Sequence, residues 1–269
     1  MKITIITATF NSDKNIISCL QSVATQSHKN IEYIIIDGAS TDKTLEFVKS
    51  SPAVSKWISE PDNGIYDALN KGIQLATGDV IGFLHSDDML GSSTIIERIA
   101  NSFSPAGGRY RGGQHESSAK DNWIRSVQID GIYGNLIFVH AQNPNKVLRA
   151  WHSKPFSYKN VRYGWMPPHP TLFLRKEVYE KHGLFDTSFR IAGDYDFMLR
   201  VMLDKEIKLV LLPEVITRMR VGGASTGSVK ELIRKSREDI RALRNNGFKV
   251  PLAVLAIKNI RKLPQLLKR

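Results

Sequence analysis

The sequence lacks several features that would place it in other large classes of protein. Its single cysteine, Cys19, allows neither an internal disulfide nor a cysteine-based zinc site, and a reducing compartment fits. No stretch approaches the roughly 18 apolar residues that a membrane-spanning helix needs. No secretory signal precedes the strand-like run at residues 3–7. We therefore expect a cytoplasmic protein.

Positive charge is abundant but unevenly distributed along the chain. The 269 residues have a net charge of +12, and Ser228–Arg269 alone holds 12 basic and 3 acidic residues. The rest of the chain, with 26 basic and 23 acidic residues, is nearly balanced. A nucleic-acid groove across the body would need a basic surface there, so we expect no nucleic-acid partner.

Strand-like and helix-like segments alternate through the first hundred residues. Apolar runs predict strands, and apolar residues at helical spacing predict helices between them. In chain order the predicted segments are 3–7, 14–26, 31–36, 42–48, 57–59, 65–76 and 80–84. This alternation predicts an α/β fold, with a mostly parallel sheet covered by helices on both faces. Ligands of such sheets bind beyond the carboxyl ends of the strands.

Two adjacent carboxylates, Asp87 and Asp88, follow the predicted strand at 80–84. Hard divalent cations prefer oxygen ligands, and two carboxylates leave coordination positions that phosphate oxygens can fill. The simpler interpretation is that these residues cap a helix near Ser92.

Four segments, taken in order, resemble family 2 glycosyltransferases of the kind that build bacterial surface polysaccharides. They are Ile5–Asn11, Tyr33–Asp42, Glu60–Gly72 and His85–Asp88. The resemblance runs from Met1 to about Ser225 and implies the nucleotide-sugar-binding, Rossmann-like GT-A fold. It divides a catalytic domain at 1–226 into a nucleotide-binding half to about residue 103, a flexible insertion at 104–124 and an acceptor-side half at 125–226. Basic helices at 227–269 would follow.

The resemblance also assigns donor-binding side chains. They are Thr7, Thr9, Asn11, Asp37, Asp67, Asn70, Lys71 and Asp88. Asp37 would accept a hydrogen bond from the nucleotide base, although an ordinary turn residue is the competing interpretation. Thr7, Thr9 and Asn11 would border the nucleoside. Asp67, Asn70 and Lys71 would lie near the ribose and diphosphate. Lys71 would supply phosphate charge, because Leu69 stands where many relatives carry arginine.

The implied cofactor is Mn²⁺ or Mg²⁺, bound by Asp87 together with His85. His85 replaces the first aspartate of the family's Asp-X-Asp motif. Histidine can ligate Mn²⁺ but suits Mg²⁺ poorly. His85 could instead hydrogen-bond to a neighbour of the metal or face the core.

Asp194 falls at the position of the family's general base within Ile191–Arg200. Inversion by direct displacement needs a carboxylate that deprotonates the acceptor hydroxyl as it attacks. Gly193 replaces the usual glutamate beside it. A helix N-cap is the competing interpretation of Asp194.

The run Trp165–Thr171 resembles a family loop in which Trp165 would stack on a sugar and His169 would touch donor or acceptor. A rigid proline-rich loop with a core tryptophan is the alternative. Likewise, residues 222–226 would form either a loop that closes over the diphosphate or a plain linker.

The basic C-terminal segment repeats apolar residues at helical spacing, with lysine and arginine between them. Basic amphipathic helices suit an anionic membrane surface, and so we expect peripheral contact with the inner membrane face. A helix pair packed on the catalytic domain and a helix that binds a partner protein are the alternatives.

The resulting prediction is an inverting, metal-dependent glycosyltransferase. Its donor would be a UDP-sugar, and its acceptor a glycan or lipid-linked sugar in polysaccharide biosynthesis. A degenerate nucleotide-sugar-binding module is the non-enzymatic alternative. A nucleotidyltransferase is a further alternative, although the loop after the first strand lacks the glycine and lysine it would need.

Overall fold

Nine strands form one sheet in the computed structural model, which describes residues 1–103, 128–222 and 229–261. The strands are β1 (Ile3–Thr9), β2 (Ile31–Asp37), β3 (Lys56–Ser59), β4 (Val80–Phe83), β5 (Met89–Leu90), β6 (Gly131–Val139), β7 (Val147–Trp151), β8 (Phe173–Arg175) and β9 (Leu209–Arg220). Their order across the sheet is β3-β2-β1-β4-β8-β6-β9-β5, and β7 pairs with the free side of part of β6.

Helices connect these strands and continue after the last of them. They are α1 (Ile16–Ala24), α2 (Thr44–Ser50), α3 (Ile65–Leu75), α4 (Ile95–Ser102), α5 (Tyr158–Arg162), α6 (Lys176–His182), α7 (Gly193–Met202), α8 (Val229–Asn245) and α9 (Pro251–Ile260). A single 3₁₀ turn at His169–Thr171 precedes β8.

Helices cover both faces of the sheet because alternate residues of each central strand point to opposite sides. On β1, Ile5 joins a buried cluster with α1, α2 and α4, whereas Ile6 joins a second cluster with α3 and α7. Strand β2 repeats this alternation with Ile35 and Ile36. The near-continuous apolar runs of these strands reflect burial on both sides.

The two halves of the sheet differ in strand direction. Strands β1 to β4 pair in parallel, so the loops after β1, β2 and β4 leave the same edge. Strand β8 runs antiparallel to both β4 and β6, while β6 and β9 are parallel. The parallel half confirms the predicted order. Strand β9 runs as far as Arg220, because its second part continues along β6.

The C-terminal helices pack into the core instead of standing apart from it. Leu243, Phe248, Val254 and Leu255 are buried in the cluster that also contains residues of α3 and α7. Over residues 229–261 the chain therefore forms the packed helix pair that was one of the alternatives, and the core continues across the boundary predicted at 226.

Three predicted features lie outside the described residues: the insertion at 104–124, the loop at 223–226 and the basic residues after 261. In the described ranges, we find no helix that combines the length and the apolar character needed to cross a membrane.

Candidate active site

The loops that follow β1, β2 and β4 are joined by hydrogen bonds at one edge of the sheet. The Asn11 N–H donates to Ser40 Oγ (2.8 Å), and the Thr41 N–H donates to Asn11 Oδ1 (2.9 Å). Ser12 Oγ and Ser86 Oγ lie 2.9 Å apart. The exposed side chain of Asn11 thus organises the loop edge, at the place predicted for the nucleoside.

Asp37 ends β2 and its side chain is fully buried. One carboxylate oxygen accepts hydrogen bonds from the Ser40 N–H (3.0 Å) and from Ser59 Oγ (2.6 Å), and the other accepts one from Ser40 Oγ. A carboxylate has about four acceptor positions, so these three bonds leave one unused. Asp37 therefore holds its own turn, as the simpler interpretation expected, and retains one position for a ligand.

The loop after β2 also approaches the loop before α3 closely. A Cβ atom on Gly38 would lie 2.6 Å from Asp62 Oδ2, so a larger residue would force the Asp62 side chain to move. Asp62 in turn accepts a hydrogen bond from the Gly64 N–H (2.9 Å). The motif containing Asp62 was recognised in the sequence, but this residue was not singled out.

Thr7 and Thr9 have a different environment from the one predicted. The Thr7 hydroxyl donates to the Leu84 carbonyl (2.6 Å) and lies 3.1 Å from the Tyr33 hydroxyl. Its side chain is fully buried on the α1 side, so the assignment of Thr7 to the nucleoside is wrong. Thr9 is nearly buried at the end of β1, and among the described residues its Oγ1 has no hydrogen-bond partner.

Of the three predicted residues of α3, Asn70 is buried, whereas Asp67 and Lys71 are partly exposed. Asn70 is buried, and its side-chain amide donates to the Phe185 carbonyl (2.9 Å) and accepts from the Phe185 N–H (2.9 Å). Asn70 therefore fixes the acceptor-side loop and not the ribose, which corrects that assignment. Lys71 is partly exposed and pairs with Glu60 (2.8 Å) and Asp67 (3.5 Å). A diphosphate near Lys71 would compete with these two carboxylates.

The two carboxylates after β4 also differ in burial. Asp88 is fully buried, with Oδ1 accepting the Arg220 N–H (3.2 Å), and burial raises its pKa well above the ordinary value. Arg220 also donates from Nη1 to the Asp87 carbonyl (2.6 Å). Asp88 therefore lies beneath the loop, and among the described residues its Oδ2 has no hydrogen-bond partner, so its assignment to the donor stays a prediction. Asp87 is partly exposed, and partial burial raises its pKa.

The capping alternative for these carboxylates is wrong. Helix α4 begins at Ile95, the preceding Thr94 makes no side-chain cap hydrogen bond, and the Ile96 N–H of the first turn donates to Gln26 Oε1 (3.2 Å). The loop shape comes instead from the contacts of Arg220.

Some of the residues present suit a hard divalent cation. The described residues contain no group of three or more His, Cys, Asp or Glu side chains arranged for a metal. Asp87 offers exposed carboxylate oxygen, the donor type that Mn²⁺ and Mg²⁺ accept, and phosphate oxygens could fill the remaining positions. His85 is less suited, because its Nε2 lies 2.9 Å from His169 Nε2 and is already used.

Asp194 lies in the first turn of α7, where residues from two distant segments contact its carboxylate. Its Oδ2 lies 2.9 Å from His169 Nδ1, and the Tyr66 hydroxyl lies 3.1 Å from its Oδ1. Burial alone would raise the pKa of Asp194, but the charge and hydrogen bond of His169 hold it well below the usual range. The residue before the helix is Ala192, and no side-chain cap is present, so the N-cap interpretation is wrong.

Gly193 is explained by the packing of Tyr66. A Cβ atom at this position would lie 2.8 Å from atoms of the Tyr66 ring. Glutamate at 193 would displace that ring and with it the hydroxyl that contacts Asp194. Glycine at 193, in place of the family's usual glutamate, therefore leaves room for the Tyr66 ring.

The turn that precedes Asp194 is held by the C-terminal helix α8. The Glu238 carboxylate accepts hydrogen bonds from the N–H groups of Ile191 (2.8 Å), Ala192 (2.9 Å) and Arg190 (3.2 Å). Sequence reasoning missed Glu238, since it treated this region as a basic appendage.

Trp165 is partly buried, with its ring edge-to-face with Tyr133 at 6.0 Å between centroids. The core interpretation of Trp165 thus has structural support, and its exposed part leaves the sugar-stacking alternative open.

The comparisons with known proteins agree with this arrangement. The family model "Glycosyl transferase family 2" matches residues 4–123. An uncharacterized glycosyltransferase of Mycobacterium tuberculosis is 29% identical over 208 residues, covering 75% of this chain and 69% of the relative. Over residues 4–123 the chain is thus similar to glycosyltransferase family 2.

A second relative has a named activity. It is the Escherichia coli "UDP-Glc:alpha-D-GlcNAc-diphosphoundecaprenol beta-1,3-glucosyltransferase WfaP", 25% identical over 240 residues, with 87% of this chain and 84% of the relative covered.

Solved structures confirm the GT-A fold. Residues 1–349 of Staphylococcus aureus TarS, in complex with UDP-GlcNAc, superpose with a TM-score of 0.64 at 17% identity. The match covers 98% of this chain and 73% of that one, but only 43% of the longer TarS chain. The mannosyltransferase PcManGT of Pyrobaculum calidifontis, with GDP-Man and Mn²⁺, gives 0.61 at 16% identity, covering 99% of this chain and 73% of that chain.

Proposed function

We propose that this chain is an inverting glycosyltransferase of polysaccharide biosynthesis. It transfers a sugar from a nucleotide-diphosphate donor, a UDP-sugar, to a glycan or lipid-linked acceptor. One observation carries the proposal: the loops after β1, β2 and β4 meet at one edge, and contacts from His85 through His169 connect that edge to Asp194. Donor and acceptor chemistry would thus share one site.

The donor side of the proposal uses residues of the loop edge. Asp37 is buried at the end of β2, so its turn would have to move for its remaining acceptor position to reach the base N–H, and Asn11 holds the neighbouring turn. Lys71 would exchange Glu60 and Asp67 for diphosphate oxygens. The UDP-glucose in the name of WfaP and the UDP-GlcNAc bound to TarS favour uridine as the nucleoside.

A divalent cation is part of the proposal, with Asp87 as its ligand. Bound there, it would neutralise negative charge on the departing diphosphate. The Mn²⁺ bound to PcManGT is consistent with this assignment.

Asp194 is the proposed general base. Its carboxylate is ionised at neutral pH, and it would accept the proton of the acceptor hydroxyl as that hydroxyl attacks. The hydroxyl oxygen forms the new bond to the sugar C1 as the bond from C1 to the phosphate oxygen breaks. Tyr66 and His169 orient the carboxylate throughout.

The test is nucleotide release from a panel of UDP-sugars, offered with glycan and diphosphoprenol-linked acceptors in Mn²⁺, Mg²⁺ or EDTA. The proposal expects release of UDP with at least one pair, and its loss in EDTA and in Asp87→Asn. UDP binding without turnover for any pair would indicate a binding module. Release of pyrophosphate from a nucleoside triphosphate and a sugar phosphate would indicate a nucleotidyltransferase.

We also propose that α9 contacts an anionic membrane surface. Leu252, Ala256 and Ile260, one helical turn apart, form an exposed apolar stripe, and exposed Lys249 and Arg261 lie beyond its two ends. Apolar insertion combined with basic residues suits anionic lipid, and each such basic residue contributes about 1 kcal/mol.

Vesicle cosedimentation tests this contact. Wild type should bind vesicles containing phosphatidylglycerol more than vesicles of phosphatidylcholine alone, and Leu252→Ser with Ile260→Ser should lose that binding. The double substitution Val147→Ser with Leu148→Ser, on exposed positions of β7, is the matched control. Equal binding to both kinds of vesicle, or no effect of the α9 substitutions, would contradict the proposal.

A further inference from the structure

Three side chains form a continuous line from the metal-side loop to the proposed base. His85 Nε2 lies 2.9 Å from His169 Nε2, and His169 Nδ1 lies 2.9 Å from Asp194 Oδ2. His85 follows β4, His169 begins the 3₁₀ turn before β8, and Asp194 is in α7. The line therefore connects three segments that are far apart in the sequence.

Both contacts are hydrogen bonds in either ionisation state of His169. Asp194 accepts a hydrogen bond from Nδ1–H, which leaves Nε2 of the same ring facing His85. If His169 is neutral, His85 Nε2–H donates to it; if His169 is cationic, its Nε2–H donates to His85. The two rings thus fix each other's orientation, and the second ring fixes the carboxylate.

The residue type at position 85 indicates what this line of contacts does. The resemblance places a metal-binding aspartate there, whereas the His85 ring directs Nε2 at His169. A carboxylate at 85 would also lie near Asp194, which already has its own negative charge. A histidine at 85 thus supports the acceptor side of the site.

We propose that His85 and His169 are positioning residues for Asp194: His169 holds the carboxylate, and His85 holds His169. This inference rests on the proposed function, since it concerns how the base of that reaction is oriented. A misplacement of about 1 Å in a catalytic group lowers turnover by about 100-fold.

Substitutions at His169 can remove the two contacts separately. Asparagine places its amide near the former Nδ1 and keeps the bond to Asp194, whereas glutamine reaches the former Nε2 and keeps the bond to His85. We expect His169→Gln to lower kcat by about 100-fold and His169→Asn by about tenfold, with the donor KM and UDP affinity unchanged in both.

A double-mutant cycle tests the role of His85. His85→Asn should lower kcat by about tenfold, and His85→Gln, which restores a polar group near Nε2, should recover part of that loss. In the His169→Asn background, where the link is already broken, His85→Asn should cost less than about twofold more. Multiplicative losses would show that the two residues act independently and would overturn the inference.

His182→Asn is the matched control, because His182 also contacts an aspartate, Asp204 at 3.3 Å, but outside the site. Its kcat should match wild type. A higher Mn²⁺ requirement in His85→Asn but not in His169→Asn would make His85 a metal ligand and contradict the inference. If wild type turns over and the variants match it, the inference alone is refuted. If wild type itself does not turn over, the proposed function is refuted.

Discussion

The donor side and the acceptor side of the site are built in different ways. On the donor side, consecutive motif residues form the loops after β1 and β2, and Asp37 is held by Ser40, three positions away. On the acceptor side, Asp194 and its turn depend on Tyr66, His169 and Glu238 from separate parts of the chain. Contacts within the first hundred residues can therefore specify the donor loops, whereas the base also requires segments from the rest of the chain.

The largest expected effect is on the acceptor side. Asp194→Asn keeps the size of the side chain but removes the proton acceptor, so we expect kcat to fall by about 10³-fold. UDP affinity should be unchanged, because Asp194 does not belong to the donor loops. Initial rates and UDP titrations of the same preparation measure both quantities. A parallel loss of affinity would show that the two sides are not separable.

The next effect concerns Glu238, which is far from the donor loops in sequence and position on the fold. Glu238→Ala leaves three N–H groups at 190–192 without their acceptor, and we expect kcat to fall by about 100-fold. Glu180→Ala, at an exposed glutamate of α6, is the control and should leave kcat unchanged. If Glu238→Ala leaves kcat unchanged, Glu238 does not help to position the base, and the acceptor side consists of α7 and its near neighbours.

A substitution in the donor half should act on stability rather than turnover. Buried Glu32 accepts hydrogen bonds from Thr4 (2.8 Å), the Thr77 N–H (2.7 Å) and Lys56 (3.0 Å), joining strands β1 to β3. Glu32→Gln should lower the free energy of unfolding by about 2 kcal/mol at pH 7, since charge-assisted bonds are lost. Chemical denaturation measures this difference.

The pH dependence of that loss follows from the pKa of Glu32. Burial alone would raise it, but Thr77, Lys56 and Thr4 hold the folded-state value well below the unfolded value of about 4.3. The stabilisation is therefore complete above the unfolded pKa and decreases as pH falls towards the folded one. Wild type and Glu32→Gln should differ most at neutral pH and converge in acid; a gap that widens in acid would contradict this.

The smallest expected effect is on donor affinity. Asp37→Asn keeps the oxygen that Ser40 and Ser59 can bond but weakens the acceptor available to the base, and we expect UDP affinity to fall about tenfold. Isothermal titration of UDP into both proteins measures this change. Equal affinities would assign Asp37 to the turn alone.

The sequence predicted the parallel half well because its strands are buried on both faces and their apolar runs are unambiguous. It could not show which members of a motif the fold buries: Asn70 and Asp88 stand beside partly exposed Lys71 and Asp87 but are buried. That distinction depends on which side of a helix or loop the fold covers.

Contacts between distant segments were also beyond the sequence patterns. Glu238 was hidden in a segment with a strong basic excess, although an acidic residue there is itself unusual. The line from His85 through His169 to Asp194 joins positions 85, 169 and 194, and no local periodicity indicates that they meet.

The most direct test of the account is the thermal stability of the wild-type chain with UDP, GDP, ADP and CDP, each with and without Mn²⁺. A ligand at 100 times its Kd stabilises the folded state by about 2.7 kcal/mol. We predict that UDP with Mn²⁺ raises the melting temperature most and that Asp87→Asn abolishes the contribution of the metal. If none of these nucleotides changes the melting temperature, the loop edge does not bind a nucleotide donor and the account is wrong.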